Sequence, residues 1–188
     1  LLLTGCSNVD AALTMGETKI TTAELQATAD LILAERSKVD TSQMQLDTGE
    51  VLLRNQLQFQ ILLAGFDEIA KELDVEITSS EIASRRAEIV EQVGGAEALP
   101  AALVSASIAP GDFDGYIRAM LTTQKLTQAL IQTGVPEADT QTRVQQLFVA
   151  KVNELKVEVN PRYGAWDATT GQIVAAEAAG DVVTPSNE

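Results

Sequence analysis

The segment VLLRNQLQFQILLAGFDEIAKEL, residues 51–73, contains one glycine and no proline, and its apolar side chains return at helical spacing. Phe59, Leu63, Phe66, Ala70 and Leu73 alternate steps of four and three, the repeat of one helix face, while Leu53, Leu57, Ile61 and Leu62 widen that face. So broad an apolar face must pack on several neighbours. The segment therefore predicts a long central helix in a multi-helix domain, and the rest of the chain is read for what packs on it.

Downstream, Val75-Glu76-Ile77 interrupts the helix, and Thr78-Ser79-Ser80-Glu81 offers a capping box, in which Thr78 and Glu81 each satisfy the other's backbone N–H. The helix it opens carries Ile82, Arg86, Ile89 and Val93 on one side and ends at Gly94-Gly95, where glycine accepts a left-handed cap. A short helical piece follows from Leu99 to Val104, with Pro100 tolerated in its first turn. Pro110 and Asp112 open a further helix with Phe113, Ile117, Met120, Leu121 and Leu126 as apolar positions, ending at Gly134-Val135-Pro136. A last helix from about Ala138 to Leu155 carries Val144, Leu147, Phe148, Val152 and Leu155. Upstream, Ala11 to Met15 and Lys19-Ile20 flank the turn Gly16-Glu17-Thr18 as a small β-element. Thr21-Thr22-Ala23-Glu24 is a second capping box, for a helix to about Lys38 with Leu25, Ala29, Ile32 and Leu33 inward. Asp40 to Met44 reads as loop, and Asp47-Thr48-Gly49-Glu50 as the start of the central helix. Lys156 to Val159 alternates polar and apolar, as a half-buried strand does, and Asn160-Pro161-Arg162-Tyr163-Gly164 is a turn. The fold class is mostly α with a small β-element. The folded domain is expected over residues 11–167, with a disordered tail over 168–188, small and acidic from Ala175 onward.

Composition excludes several kinds of function. The 188 residues carry a net charge of −14, which repels phosphate backbones and argues against nucleic-acid binding. Histidine is absent and there is one cysteine, so neither a His-dependent triad nor the usual zinc cluster can be built. No catalytic residue, metal, cofactor or small-molecule substrate is expected. Asp112 and Asp114 stand at a helix start, where they read as cap and dipole partners and not as an acid/base pair. Arg85 and Arg86 read as a solvated face flanked by Glu81 and Glu88.

Leu1-Leu2-Leu3-Thr4-Gly5 runs into Cys6, and the chain turns polar at Ser7-Asn8. This order resembles a bacterial lipobox, in which the cysteine after the apolar end of an export signal is acylated and becomes the mature N-terminus. Residues 1–5 are then the end of a signal peptide and residues 6–10 a lipidated tether. Lipidation at Cys6 predicts attachment to the cell membrane on its extracytoplasmic face.

Several blocks also resemble one family. The lipobox, the short strand through Gly16-Glu17-Thr18-Lys19-Ile20 and then Thr22-Ala23-Glu24-Leu25 are similar to the opening of the SurA and PrsA foldases' N-terminal domains. Ala70 to Ile82 looks like the point where the long helix of those domains passes through a brief extended link, and Asp112 to Leu126 is similar to their following helix. Val157-Glu158-Val159-Asn160-Pro161-Arg162-Tyr163-Gly164-Ala165-Trp166-Asp167 resembles the ending of SurA-N-like lipoproteins of actinobacteria. The resemblance implies a helical chaperone domain whose first and last strands pair. It implies a non-catalytic holdase for unfolded or extended exported polypeptides. The parvulin isomerase domain usual in those foldases is not expected, since Leu155 to Glu188 is too short for it. Two other functions stay open: an envelope lipoprotein that binds one folded partner, and, ranked last, a peptidyl-prolyl isomerase-associated foldase.

Phe59, Phe66, Phe113 and Met120 are the candidate peptide-binding residues, although apolar residues at helical spacing are more often core. Met44 and Met120 suit an adaptable surface or a core gap equally well. Asn160, Pro161, Arg162, Tyr163, Gly164 and Trp166 form the candidate structural motif, with the aromatic rings pinning the last strand.

Overall fold

Both capping boxes open helices. In the computed structural model, which describes residues 10–175, the Glu24 N–H donates to the Thr21 hydroxyl (3.1 Å) and the Thr21 N–H donates to the Glu24 carboxylate (2.8 Å). These bonds start helix α1 (Thr22–Arg36). The same exchange between Thr78 and Glu81 starts α3 (Ser79–Gln92), which stops before Gly94 and Gly95, both at positive φ. Between them the central helix α2 runs without a break over Gly49–Glu72. After it come α4 (Leu99–Ser105), a 3₁₀ turn at Pro110–Asp112, α5 (Phe113–Gln132) and α6 (Glu137–Glu154). The expectations for Cys6, for residues 1–9 and for residues 176–188 lie outside the described residues.

Helix α2 lies against α1, α5 and α6, so its central place is as expected. Its buried seam meets the expected face only at Leu57 and Ile61. Leu52, Gln56, Leu57, Ile61, Gly65 and Ile69 are buried, whereas Phe59, Leu63, Phe66 and Ala70 are half-buried and Leu73 is exposed. A glutamine and a glycine interrupt the true seam, and a search for apolar spacing steps over both. Gly65 is there because α6 passes close: a Cβ at this position would lie 2.7 Å from Phe148 Cε2 and 3.0 Å from Val152 Cγ1. Leu33 and Leu147, also expected inward, are exposed, while Ala29, Ile32, Val144, Phe148 and Val152 are buried. Each fully buried Leu or Ile side chain such as Leu57 or Ile61 contributes about 1.5–3 kcal/mol.

The termini of the domain meet in a sheet. Strand β1 (Ala11–Met15) forms a hairpin with β2 (Thr18–Thr21) across Gly16 and pairs on its other edge with β3 (Glu158–Val159), Leu13 opposite Val159. All pairs are antiparallel. The expected boundary at Asp167 needs correction. Strand β4 (Ala165–Asp167) pairs with β5 (Gln172–Val174), so residues 168–174 belong to the folded domain and Ile173 is buried in its core. One side chain of α2 fastens this hairpin: Gln58 Nε2 donates to Gly171 O (3.0 Å) and the Ile173 N–H donates to Gln58 Oε1 (2.8 Å). Three residues are too few to show a strand period, which is why β5 was not legible.

Candidate functional site

Two of the four candidate peptide-binding residues share a groove. Phe66 and Leu62 from α2 face Tyr116, Ala119 and Met120 from α5 across an apolar hollow of about 330 Å³, with Arg85 of α3 at its rim. Phe59 extends the same surface, its ring 6.1 Å from that of Tyr116. Phe66 has two roles, since its ring also stacks on buried Phe148 of α6 at 5.1 Å. Helix geometry explains the wall: Tyr116, Met120 and Thr123 recur at steps of four and three, so they project from one side of α5. Tyr116 was missed in the sequence, and extending the Met120 face by one turn would have found it.

Phe113 does not belong to this groove. It is fully buried in a separate cluster with Ile82 and Ile117. Its edge walls another hollow, of about 350 Å³, beside Leu99, Leu103, Val104 and Ile108. The expectation that it binds peptide is therefore corrected: at the first residue of α5, the helix axis turns it inward. The Arg86 guanidinium covers its ring at 4.7 Å and pairs with Asp114. Arg86 and Asp114 thus join α3 to α5 across a solvent-exposed surface, in keeping with the expected solvated face, with Asp114 as a partner the sequence did not announce. Arg85 fits that expectation as well, being paired with Glu88 at 2.8 Å. Asp112 is no side-chain cap either; it accepts a hydrogen bond from Gln60 Nε2 (3.2 Å).

Charge also ties α3 to α5 beyond the groove. Lys125 of α5 donates to the Glu76 carbonyl and pairs with Glu81, both at 2.7 Å, so the link before α3 is tied to α5. With Lys125 beside it and the Thr78 N–H donating to it, the Glu81 carboxyl is held down to about 2. A larger hollow, about 480 Å³, lies along α2 and α5 beside Asp67, Lys71 and Arg118. Its charged walls suit water more than an apolar chain.

The residues from Asn160 to Trp166 join the end of the domain to strand β1 and to helices α2 and α6. The Asn160 N–H and Nδ2 donate to the Ala12 and Ala11 carbonyls (3.0 and 3.1 Å), and Asn160 Oδ1 takes the Arg162 N–H. Pro161 and Arg162 are exposed at the turn, and Tyr163 is buried, its carbonyl accepting from Arg54 Nε at 2.9 Å. Gly164 is buried at a φ of 141°, and Trp166 is half-buried with Nε1 donating to Asn153 Oδ1 (3.2 Å). These residues close the domain and line no cavity described above. Among the described residues no cluster of three metal-ligating side chains occurs, and no helix is long and apolar enough to cross a membrane. Compared with protein-family models, with curated proteins and with solved structures, the chain matches none of them.

Proposed function

We propose that this chain is a SurA-N-like, lipid-anchored chaperone domain that holds unfolded or extended exported polypeptides and does no chemistry on them. The single observation that carries the reading is the groove in which Leu62, Phe66, Tyr116 and Met120 are half-buried and line one apolar surface. Methionine and aromatic side chains adapt to many partners, as a holdase surface must. The scale also fits. Burying one apolar client side chain there is worth about 1.5–3 kcal/mol, far below the roughly 8 kcal/mol of a micromolar complex. Each contact is weak, and release needs no energy source. The pairing of β1 with β3 supports the resemblance to the SurA and PrsA opening and closing strands.

The test is an aggregation assay with several unfolded clients at roughly stoichiometric amounts. The domain should delay aggregation, and Met120→Glu, which puts a charge on the groove without opening the core, should remove most of that delay. A proline-containing peptide should isomerise at its uncatalysed rate, tens of seconds or slower. Catalysis that scales with protein concentration would overturn the non-enzymatic reading. A second reading, binding to one folded envelope partner, is favoured by exposed Leu73 and Leu147, which flank one shallow site with Ile69 beside the Lys151–Glu72 ion pair. A single stoichiometric partner in a crosslinked pull-down, lost in Leu147→Asp, would decide for it.

A further inference from the structure

The hollow of about 350 Å³ beside Phe113 takes its walls from α1, α3, α4, the 3₁₀ turn and α5. We propose that it is a binding site for a small, neutral aromatic compound, packed among Leu99, Pro100, Leu103, Pro110 and the edge of Phe113.

The lining carries the argument. Apart from Glu35 and Arg86, every residue that lines the hollow is apolar. Leu99 and Leu103 are half-buried, and Pro100 and Pro110 are exposed, so part of this apolar surface is open to water. A ligand that displaced the water would gain the hydrophobic term, and the volume lies within the roughly 300–1,000 Å³ of small-molecule sites. The wall is also fixed in place. At the bend after α4, the Ser107 carbonyl accepts from Gln56 Nε2 (2.9 Å) and the Ser107 hydroxyl accepts from Arg36 Nη2 (3.2 Å). A ligand loses least free energy on a site that is formed before it arrives.

The two charged residues select the charge of the ligand. Glu35 is paired with Lys38 at 2.7 Å, and Arg86 pairs with Asp114 while its guanidinium covers the Phe113 ring. Each charge at the hollow already has its opposite beside it, so a charged ligand would give up hydration and find no unmatched partner. A neutral one gives up little. Shape selects a ring, because a planar aromatic body buries its area without internal rotors to freeze and can set its face against the edge of Phe113. An aromatic side chain of a polypeptide shares this chemistry. The free compound is favoured, since a polypeptide would have to bring its backbone past two ion pairs that reach solvent. The inference stands apart from the chaperone reading, because no residue of this hollow lines the groove.

The test follows the Ile, Leu and Val methyl signals of the full chain by NMR during titration with indole, tryptamine and indole-3-acetate, which share one ring and differ in charge. Indole should shift Leu103, Val104 and Ile108 saturably, and each charged analogue should bind about tenfold more weakly or worse. Leu103→Trp, which fills the hollow with a ring of its own, should abolish the shifts at Val104 and Ile108. The proposal is overturned if indole does not saturate, if a charged analogue binds as well as indole, or if the shifts fall on Leu62 of the groove instead of Leu103. N-acetyl-tryptophan amide binding more tightly than indole would assign the hollow to a polypeptide and overturn the free compound. The comparison of ligands needs no variant, so it decides even if Leu103→Trp folds poorly.

Discussion

Gly164 shows what one residue can decide in this fold. Its φ of 141° is outside the range of other residues, and a Cβ there would lie 2.4 Å from the Val174 carbonyl oxygen and 2.8 Å from Ile173 Cγ2. The backbone at the start of β4 comes that close to β5 because the two strands pair in register at Ala165 and Val174. Gly164→Ala should therefore cost about 2–3 kcal/mol in urea unfolding, the upper part of the usual range for single substitutions. A loss below the error of the measurement would mean that β5 leaves β4 easily. Trp166 is different: half-buried, with its N–H bonded to Asn153, it should lose less on truncation than the roughly 3–5 kcal/mol of a fully buried aromatic ring. At this scale the sequence was legible where a residue acts on its own neighbours, as at Thr21 with Glu24. It was silent where the partner is distant. Arg86 and Asp114 are 28 positions apart, and Gln56 meets Ser107 across 51. No local pattern announces such pairs.

Between elements, the apolar cluster of Ile82, Phe113 and Ile117 that joins α3 to α5 is flanked by an ion pair that titrates. Glu81 closes the α3 capping box and pairs with Lys125, so its folded-state carboxyl titrates at about 2 against an ordinary 4.5. A depressed carboxylate adds stability above its unfolded value and loses it as pH falls toward the folded one. The window is therefore about pH 4.5 to 2. Asp112 acts in the opposite sense: burial raises its carboxyl, so protonation on acidification relieves a penalty. To separate Glu81 from every other carboxylate, Glu81→Gln serves well, because glutamine still completes a capping box. The parent should exceed the variant in urea midpoint above pH 4.5, and the gap should narrow steadily below it. A gap that stays constant across the window would show that the charge of Glu81 adds nothing to the join. The elements themselves were mostly readable, since caps, glycine stops and apolar runs are local signals. The face each helix buries was less so. On α2, Leu62 and Phe66 of the expected apolar face wall the groove, and the core line runs through Gln56 and Gly65.

At the scale of the whole molecule, the chain returns on itself: β3 pairs with β1, so the start and end of the helical array share one sheet. The strands were read from local pattern, but the pairing of β3 with β1 was expected from a resemblance, because a strand of two residues carries no signal of its distant partner. Membrane attachment must be argued at the same scale. With a net charge of −14 the chain is repelled by anionic headgroups, and no described helix is long and apolar enough to span a bilayer. The proposed attachment rests on the lipobox-like Leu3-Thr4-Gly5-Cys6 alone. One acyl chain gives only marginal, reversible binding, with an association constant of about 10⁴ M⁻¹, whereas two give a stable anchor. Expressed behind a complete lipoprotein signal, the parent should take up labelled fatty acid and sediment with membranes. Cys6→Ser should take up no label and either remain unprocessed or appear in the soluble fraction. A Cys6→Ser protein that is processed, unlabelled and still membrane-bound would place the attachment in the folded domain, and the lipid anchor would have to be abandoned.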